Sequence, residues 1–421
     1  MSAGNTTYDV VIVGGGAAGI ATASSLLKRN ARLSIAVIEP ATEHFYQPGW
    51  TMVGAGVFTP EQTRHTMQSV MPDRGEWIRR AAAGFAPEAN QVILADGSVV
   101  NYRALVVAPG LKLDWAAIPG LYDALGKKGV TSNYRYDLAP YTHQLVESIK
   151  CGRALFTQPP MPIKCAGAPQ KAMYLSCDIW AQNRVLDNIE VEFHNAGAVL
   201  FAVAAFVPAL MAYIERYGID LELGSTLVAV DGPGRRATFE RKDADGSIVR
   251  IEREFDMLHA VPPQVAPDFV SSSSLAAPSG FIDVDPATLR HPAYENVFSL
   301  GDACSAPNAK TAAAVRKQAP VVAVNVLAAL EGRSPVADYD GYGSCPLTVE
   351  RGKIVLAEFG YGGKLLPSSP SWLIDGTKPS KAAWLLKERL LPPLYWQAML
   401  KGREWMAGPH MVATPRSTDA S

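Results

Sequence analysis

Cysteine is scarce in this 421-residue chain: there are five, Cys151, Cys165, Cys177, Cys304 and Cys345. None forms a CxxC pair or a zinc-ligand spacing, so neither a disulfide scaffold nor a metal centre is expected. Scattered cysteines in a chain of this size point to a reducing compartment or to catalytic thiols. An excess of positive charge is also missing. Lys and Arg total 39 against 40 Asp and Glu, a net charge of −1. That balance offers no basic field for a nucleic-acid backbone and excludes that partner class. No stretch reaches the roughly 18–20 uninterrupted apolar residues of a membrane span; residues 199–211 come nearest. The N-terminal MSAGNTTYDV shows no basic region, apolar signal core or Arg-rich pattern. No short-period repeat or low-complexity block is visible.

What is present reads as α/β. The length predicts two domains plus a tail. Residues 8–13 form a short apolar run, predicted as a buried parallel strand. Gly14-Gly15-Gly16 breaks it, residues 17–29 have helical character, and residues 33–39 give a second apolar strand ending in an acid. Gly14-Gly15-Gly16-Ala17-Ala18-Gly19 fits G-x-G-x-x-G, and its place between strand and helix gives the pattern meaning. Gly14 permits the tight turn, Gly16 lets the backbone approach a pyrophosphate, and Gly19 allows close helix–strand packing. Glu39 stands about 20 positions on, where an acid bonds a ribose hydroxyl. Further strands are expected within 77–94, 102–110, 153–156, 190–194 and 297–300, and helices over 170–182, 207–217 and 312–330. Pro159, Pro160 and Pro162 predict a rigid loop before Cys165.

Val297-Phe298-Ser299-Leu300-Gly301-Asp302, an apolar strand ending in Gly-Asp, resembles the second flavin motif of the two-dinucleotide flavoproteins. The resemblance implies FAD, with Asp302 on its ribitol chain. Leu105 to Gly110 stands where that family has a strand end near the cofactor, although Pro109 departs from the usual residue.

Pro162-Ile163-Lys164-Cys165-Ala166-Gly167-Ala168-Pro169-Gln170-Lys171 resembles the redox-cysteine segment of sulfide:quinone oxidoreductases. Tyr339-Asp340-Gly341-Tyr342-Gly343-Ser344-Cys345-Pro346-Leu347 resembles the segment carrying that family's second redox cysteine. Tyr46-Gln47-Pro48-Gly49-Trp50 resembles its flavin-side loop, Lys310-Thr311-Ala312 with Gln318 its flavin-facing helix, and Leu391-Pro392-Pro393-Leu394-Tyr395-Trp396 its tail. The likeness runs over nearly the whole chain and is nearest the two-cysteine, mitochondrial-type branch and its bacterial relatives. It implies catalytic Cys165 and Cys345, and cofactor contacts from Gly14, Gly15, Gly16, Gly19, Glu39, Gln47, Ala82, Gly110, Asp302, Lys310 and Gln318. It further implies that hydrosulfide attacks a disulfide, that Cys165 takes the persulfide, and that Cys345 attacks the flavin. Lys164 and the helix start after Pro169 are expected to favour the Cys165 thiolate. Cys151, Cys177 and Cys304 are expected to be ordinary apolar residues, with Cys304 the nearest of them to the flavin.

A second G-x-G-x-x-G, needed to bind NADH, is not found. Residues 189–202, expected to be the matching place, hold only Gly197. On a helical wheel Leu394, Tyr395, Ala398, Met399, Trp405 and Met406 share one face near Trp372, Trp384, Trp396 and Trp405. This predicts a tail helix lying in a membrane interface. The expected organisation is two Rossmann-like domains: 1–120 with 285–345 for FAD, 121–284 as a degenerate second domain, and 346–421 as a membrane- and quinone-associating region. The expected reaction is oxidation of sulfide to sulfane sulfur, with electrons passing through FAD to a quinone. A small thiol or sulfite is a candidate sulfur acceptor, and the expected place is the cytoplasmic face of a bacterial inner membrane. A type II NADH:quinone oxidoreductase and a non-catalytic flavoprotein module are the rival readings.

Overall fold

The computed structural model describes residues 6–242 and 246–412. Its first sheet is built around the run of buried β-branched residues at the N-terminus. Strand β1 (Thr7–Val13) leads through the glycine turn into helix α1 (Ala17–Arg29) and back to β2 (Ile35–Ile38). Strands β3 (Gly75–Ile78), β4 (Ala82–Ala86), β5 (Gln91–Leu94) and β6 (Val99–Val107) come next, giving the order β3-β2-β1-β6-β5-β4. Strands β3, β2, β1 and β6 are mutually parallel, while β4 and β5 pair antiparallel.

The second sheet comprises β7 (Val130–Thr131), β8 (Gly152–Gln158), β9 (Ile189–Asn195), β10 (Asp220–Leu223) and β11 (Met257–His259), all parallel, in the order β7-β11-β8-β9-β10. Helix α2 (Ala168–Gln182) connects β8 to β9. The chain then returns to the first sheet through β12 (Val297–Ser299), which pairs with the second half of β6 at Leu105–Val107. Strand β5 occupies the first half of that same edge, at Val99–Asn101. Helix α3 (Ala312–Leu330) packs beside α1. It is long and apolar enough to cross a membrane, the one such helix among the described residues, but it is built into the first core and reads as a core helix.

Two features were not legible beforehand. Residues 343–359, for which no strand is predicted, form a hairpin of β13 (Gly343–Glu350) and β14 (Lys353–Phe359) packed on α2. Residues 225–231, 236–242 and 248–254 form a separate antiparallel three-stranded sheet. The tail also differs from the expected helix. It runs as an unbroken succession of helical pieces from Lys381 to Lys401, widened to π-helical turns at Leu386–Leu390 and Leu394–Ala398, and ends at Gly402 with φ +65°. The single apolar face expected for it does not exist. Tyr395 and Met399 are buried in the first core with Trp396 and Leu400, whereas Trp405 and Met406 are 70% and 57% exposed.

Candidate active site

The two sheets present equivalent connections. In the first, β1, the glycine turn, α1 and β2 come in order; in the second, β8, residues 159–167, α2 and β9 do the same. The counterpart of the phosphate turn is therefore the proline loop that carries Cys165. Residues 189–202, expected to be the match, are β9 and the loop after it. Topology corrects the location and leaves the absence of a second glycine turn standing. No phosphate turn occupies that position, and a cysteine does.

Cys165 lies just before α2, half-buried, with φ +48°. Cys345 lies on β13 and is buried. Their Sγ atoms are 3.6 Å apart, and both are free thiols. Gly167 makes this approach possible, because a Cβ there would stand 2.6 Å from the Cys345 sulfur and 2.2 Å from Leu347 Cδ2. The Lys171 ammonium, in the first turn of α2, donates to Cys165 Sγ at 3.1 Å. The hydrogen bond from Cys345 and the neighbouring Lys171 charge hold the Cys165 thiol well below the ordinary thiol range, against the effect of burial. Donation to that sulfur, reinforced by burial, pushes the Cys345 thiol well above it. Burial alone would lower the Lys171 ammonium; the two sulfurs outweigh that and raise it. A second buried amine, Lys387 of the tail, donates to Thr348 Oγ1 at 2.9 Å and is held well below the usual lysine range by burial and by Lys171.

Lys164, expected to support the thiolate, is turned elsewhere. Its Nζ donates to Gln47 Oε1 at 2.7 Å, which brings the 46–50 loop to the cysteine loop. Lys171 and Lys387 were missed. Lys171 was within reach of the sequence, one helical turn beyond the cysteine loop; Lys387 comes from a distant segment and left no signal.

The dinucleotide turn has the form its glycines require. Gly14 has φ +104°, and a Cβ there would stand 2.3 Å from the Ala108 carbonyl oxygen. A Cβ on Gly19 would strike the Gly14 carbonyl oxygen at 1.8 Å. Beside Gly16 there is open space, and no side chain caps the start of α1. The first amides of that helix thus face an open cradle of the kind a pyrophosphate fills. Glu39 accepts from the Gly15 amide at 2.8 Å and from the Ala41 amide at 2.8 Å, so it braces the turn as well as offering lone pairs to a ribose.

At the other end, Asp302 comes just after β12. Burial raises its carboxyl, opposed by the Lys310 and Lys164 charges, and no protein donor reaches it among the described residues. Gln318 accepts from the Gly301 amide at 2.9 Å, while its buried Nε2 donor has no protein partner. These groups, the open cradle and the orphaned amide fit an FAD molecule. Lys310 reaches both this end and the cysteine loop. Its Nζ donates to the Asp302 and Cys304 carbonyls, each at 2.9 Å, and its own carbonyl accepts from the Cys165 amide at 2.9 Å. Lys310 thereby ties the Asp302 loop to the cysteine loop.

Gly110, with φ +77°, lies after β6, beyond Ala108. Ala82 opens β4, three strands from β1 in the sheet order, and no described contact ties it to the glycine turn. Cys304 is buried and donates to the Gly301 carbonyl at 3.3 Å, and burial raises its thiol. Cys177 is buried in the second core and Cys151 is exposed.

Comparison with known proteins agrees with this layout. Residues 8–146 match the family model described as pyridine nucleotide-disulphide oxidoreductase. The mitochondrial sulfide:quinone oxidoreductase of Dictyostelium discoideum is 39% identical over 397 residues, covering 94% of this chain and 86% of the relative. That of Mus musculus is 35% identical, covering 94% and 87%. The crystal structure of the sulfide:quinone oxidoreductase from Aquifex aeolicus superposes with a TM-score of 0.77 at 18% identity, covering 94% of this chain and 92% of that one, and so shares the fold. The extent and identity of these matches show that the chain belongs to the sulfide:quinone oxidoreductase family.

Proposed function

We propose that this chain oxidises sulfide to sulfane sulfur and delivers two electrons through FAD to a membrane quinone. The observation that carries the reading is the pair of sulfurs 3.6 Å apart beside the Lys171 ammonium, at the position where a second phosphate turn would stand. The resting pair in this reading is the disulfide formed from Cys165 and Cys345. Hydrosulfide attacks the half-buried Cys165 sulfur, the S–S bond breaks, and Cys165 becomes a persulfide while Cys345 leaves as a thiolate. Lys171 faces both sulfurs and stabilises the anion that forms. Transfer of the outer sulfur to a small thiol, sulfite or a second sulfide leaves a reduced cysteine pair. Gly14, Gly15, Gly16, Gly19, Glu39, Asp302 and Gln318 would hold FAD, which would supply the two-electron acceptor between the reduced cysteine pair and quinone. We assign Cys165 and Cys345 as the catalytic residues, with Gln47 and Gly110 lining the cofactor site and Lys310 positioning it.

The chain is organised in this reading as a split FAD unit, 1–120 and 285–345, around a second unit, 121–284, with 346–421 as the membrane-facing part. Exposed apolar side chains in that last part support it: Trp372 is 83% exposed, Leu390 60% and Trp405 70%. Aromatic and aliphatic side chains of this kind favour a lipid interface. Five scattered cysteines with no scaffold spacing support the cytoplasmic face of a bacterial inner membrane as its place.

The test is anaerobic turnover with sulfide and decylubiquinone, reading quinol formation and cyanide-labile sulfur together. Equal yields of quinol and labile sulfur are expected. Quinol formed without labile sulfur would overturn the reading.

A further inference from the structure

The glycine turn is gripped from two sides. Glu39 accepts from the Gly15 amide, and His44 binds the Gly15 carbonyl with Nδ1 at 3.1 Å. The other ring nitrogen, Nε2, lies 2.7 Å from the hydroxyl of Tyr395 in the C-terminal segment. His44 is 3% exposed and Tyr395 5%, so water does not compete for these bonds. A carbonyl only accepts, so Nδ1 carries the proton and Nε2 accepts from the tyrosine O–H. The chain of contacts therefore runs Tyr395 to His44 to Gly15, across 351 positions of sequence between its first two members.

The segment that carries Tyr395 also clasps the C-terminal half of α1. The Tyr395 ring lies 4.9 Å from that of Tyr46, and Trp396 stacks on His65 at 3.9 Å. Ser24 Oγ donates to the Leu400 carbonyl at 2.7 Å. Gly402 lies so close that a Cβ would stand 2.7 Å from the Ser24 carbonyl oxygen. Arg29 makes two bonds to Glu404, at 2.5 and 2.7 Å, and Ser25 makes a third at 2.7 Å. The C-terminal half of α1 and, through His44, the Gly15 turn that precedes it are thus both held by residues 395–404.

We propose that residues 395–404 are a working part of the FAD site, with Tyr395 and His44 as positioning residues that hold the Gly15 peptide in its cofactor-binding form. The inference rests on the FAD-binding reading above. Coupling of this kind is reciprocal: if the strap supports FAD, then FAD must secure the strap by the same factor. The segment that faces the membrane and the segment that cradles the pyrophosphate thereby share one equilibrium.

Tyr395→Phe keeps the ring and its packing and removes only the hydroxyl. The holoenzyme and this variant are purified side by side, and FAD release is followed by flavin fluorescence on dilution. Hydrogen exchange over residues 395–404 is measured on each protein, loaded and stripped of flavin. An increase of about fivefold in the FAD dissociation constant is expected for Tyr395→Phe. FAD is expected to slow exchange of the strap in the wild type, and to do so less in the variant. His44→Asn, which keeps a donor near the Gly15 carbonyl, should hold FAD better than His44→Ala. Equal FAD affinity in wild type and Tyr395→Phe, or strap exchange indifferent to FAD, overturns the inference while leaving the FAD reading intact. A wild-type protein that binds no FAD defeats the FAD reading instead.

Discussion

Lys171 Nζ lies 3.1 Å from Cys165 Sγ, and Cys345 stands 3.6 Å away on the neighbouring strand. A lysine, a low thiol and a high thiol share one buried corner, so the two cysteines of the reduced pair are unequal. The lowered thiol favours the thiolate, which is the reactive form.

Replacing Lys171 by Gln removes the cation and should raise the apparent pKa of Cys165. The sign is set by the direction of the native shift: the folded value is depressed, so loss of its cause moves it up. Iodoacetamide alkylation of the fully reduced protein, followed against pH with peptide mapping of Cys165, measures this. An unchanged profile would assign the depression to Cys345 alone.

Cys165→Ser and Cys345→Ser should each lower sulfide oxidation on the order of a thousandfold or more. Both should retain flavin, since neither residue braces the glycine turn. Cys151→Ser, at an exposed position, and Cys177→Ser should leave turnover nearly unchanged. Flavin content and quinol formation measured on all four proteins check the division.

Glu39→Ala removes the carboxylate that holds the Gly15 and Ala41 amides. Charge-assisted bonds of this kind contribute about 1.5–3 kcal/mol. FAD affinity should fall accordingly, as read by flavin retention through gel filtration. Glu39→Gln, which still accepts hydrogen bonds, should lose less.

The sequence revealed the first unit well because its signals are local. The buried run ending at Val13, the glycines at 14, 16 and 19, and the acid at 39 together describe one strand, one turn, one helix and one strand. Helix 17–29 and helix 312–330 match the observed spans. The cysteine pair was legible from flanking motifs, since Gly167 after Cys165 is what admits β13. What stayed hidden was decided by long-range packing. The counterpart of the phosphate turn is set by strand order, so looking for a lone glycine led to 189–202. Lys387 meets the sulfurs only through the fold of the tail. The helical wheel for that tail assumed one α-helical period through Met406, whereas the helix widens to a π turn at Leu394–Ala398 and ends at Gly402.

Membrane attachment should depend on the exposed apolar side chains and not on the buried ones. Leu390→Ser and Trp405→Ser should each reduce recovery with liposomes by about tenfold. Flavin reduction by sulfide should survive in both. Deleting residues 380–421 is a harsher change, because it strips Tyr395, Trp396, Met399 and Leu400 from the first core. That deletion should lower the melting temperature and release flavin. Normal liposome recovery in both point variants would move the membrane face elsewhere.

The central claim is that electrons reach the flavin from sulfide through the cysteine pair. Anaerobic rapid mixing of the purified flavoprotein with sulfide, and separately with NADH, tests it most directly when flavin absorbance is recorded. The account predicts prompt bleaching by sulfide, recovery on adding decylubiquinone, no bleaching by NADH, and no response to sulfide in Cys165→Ser. Bleaching by NADH with indifference to sulfide would contradict it.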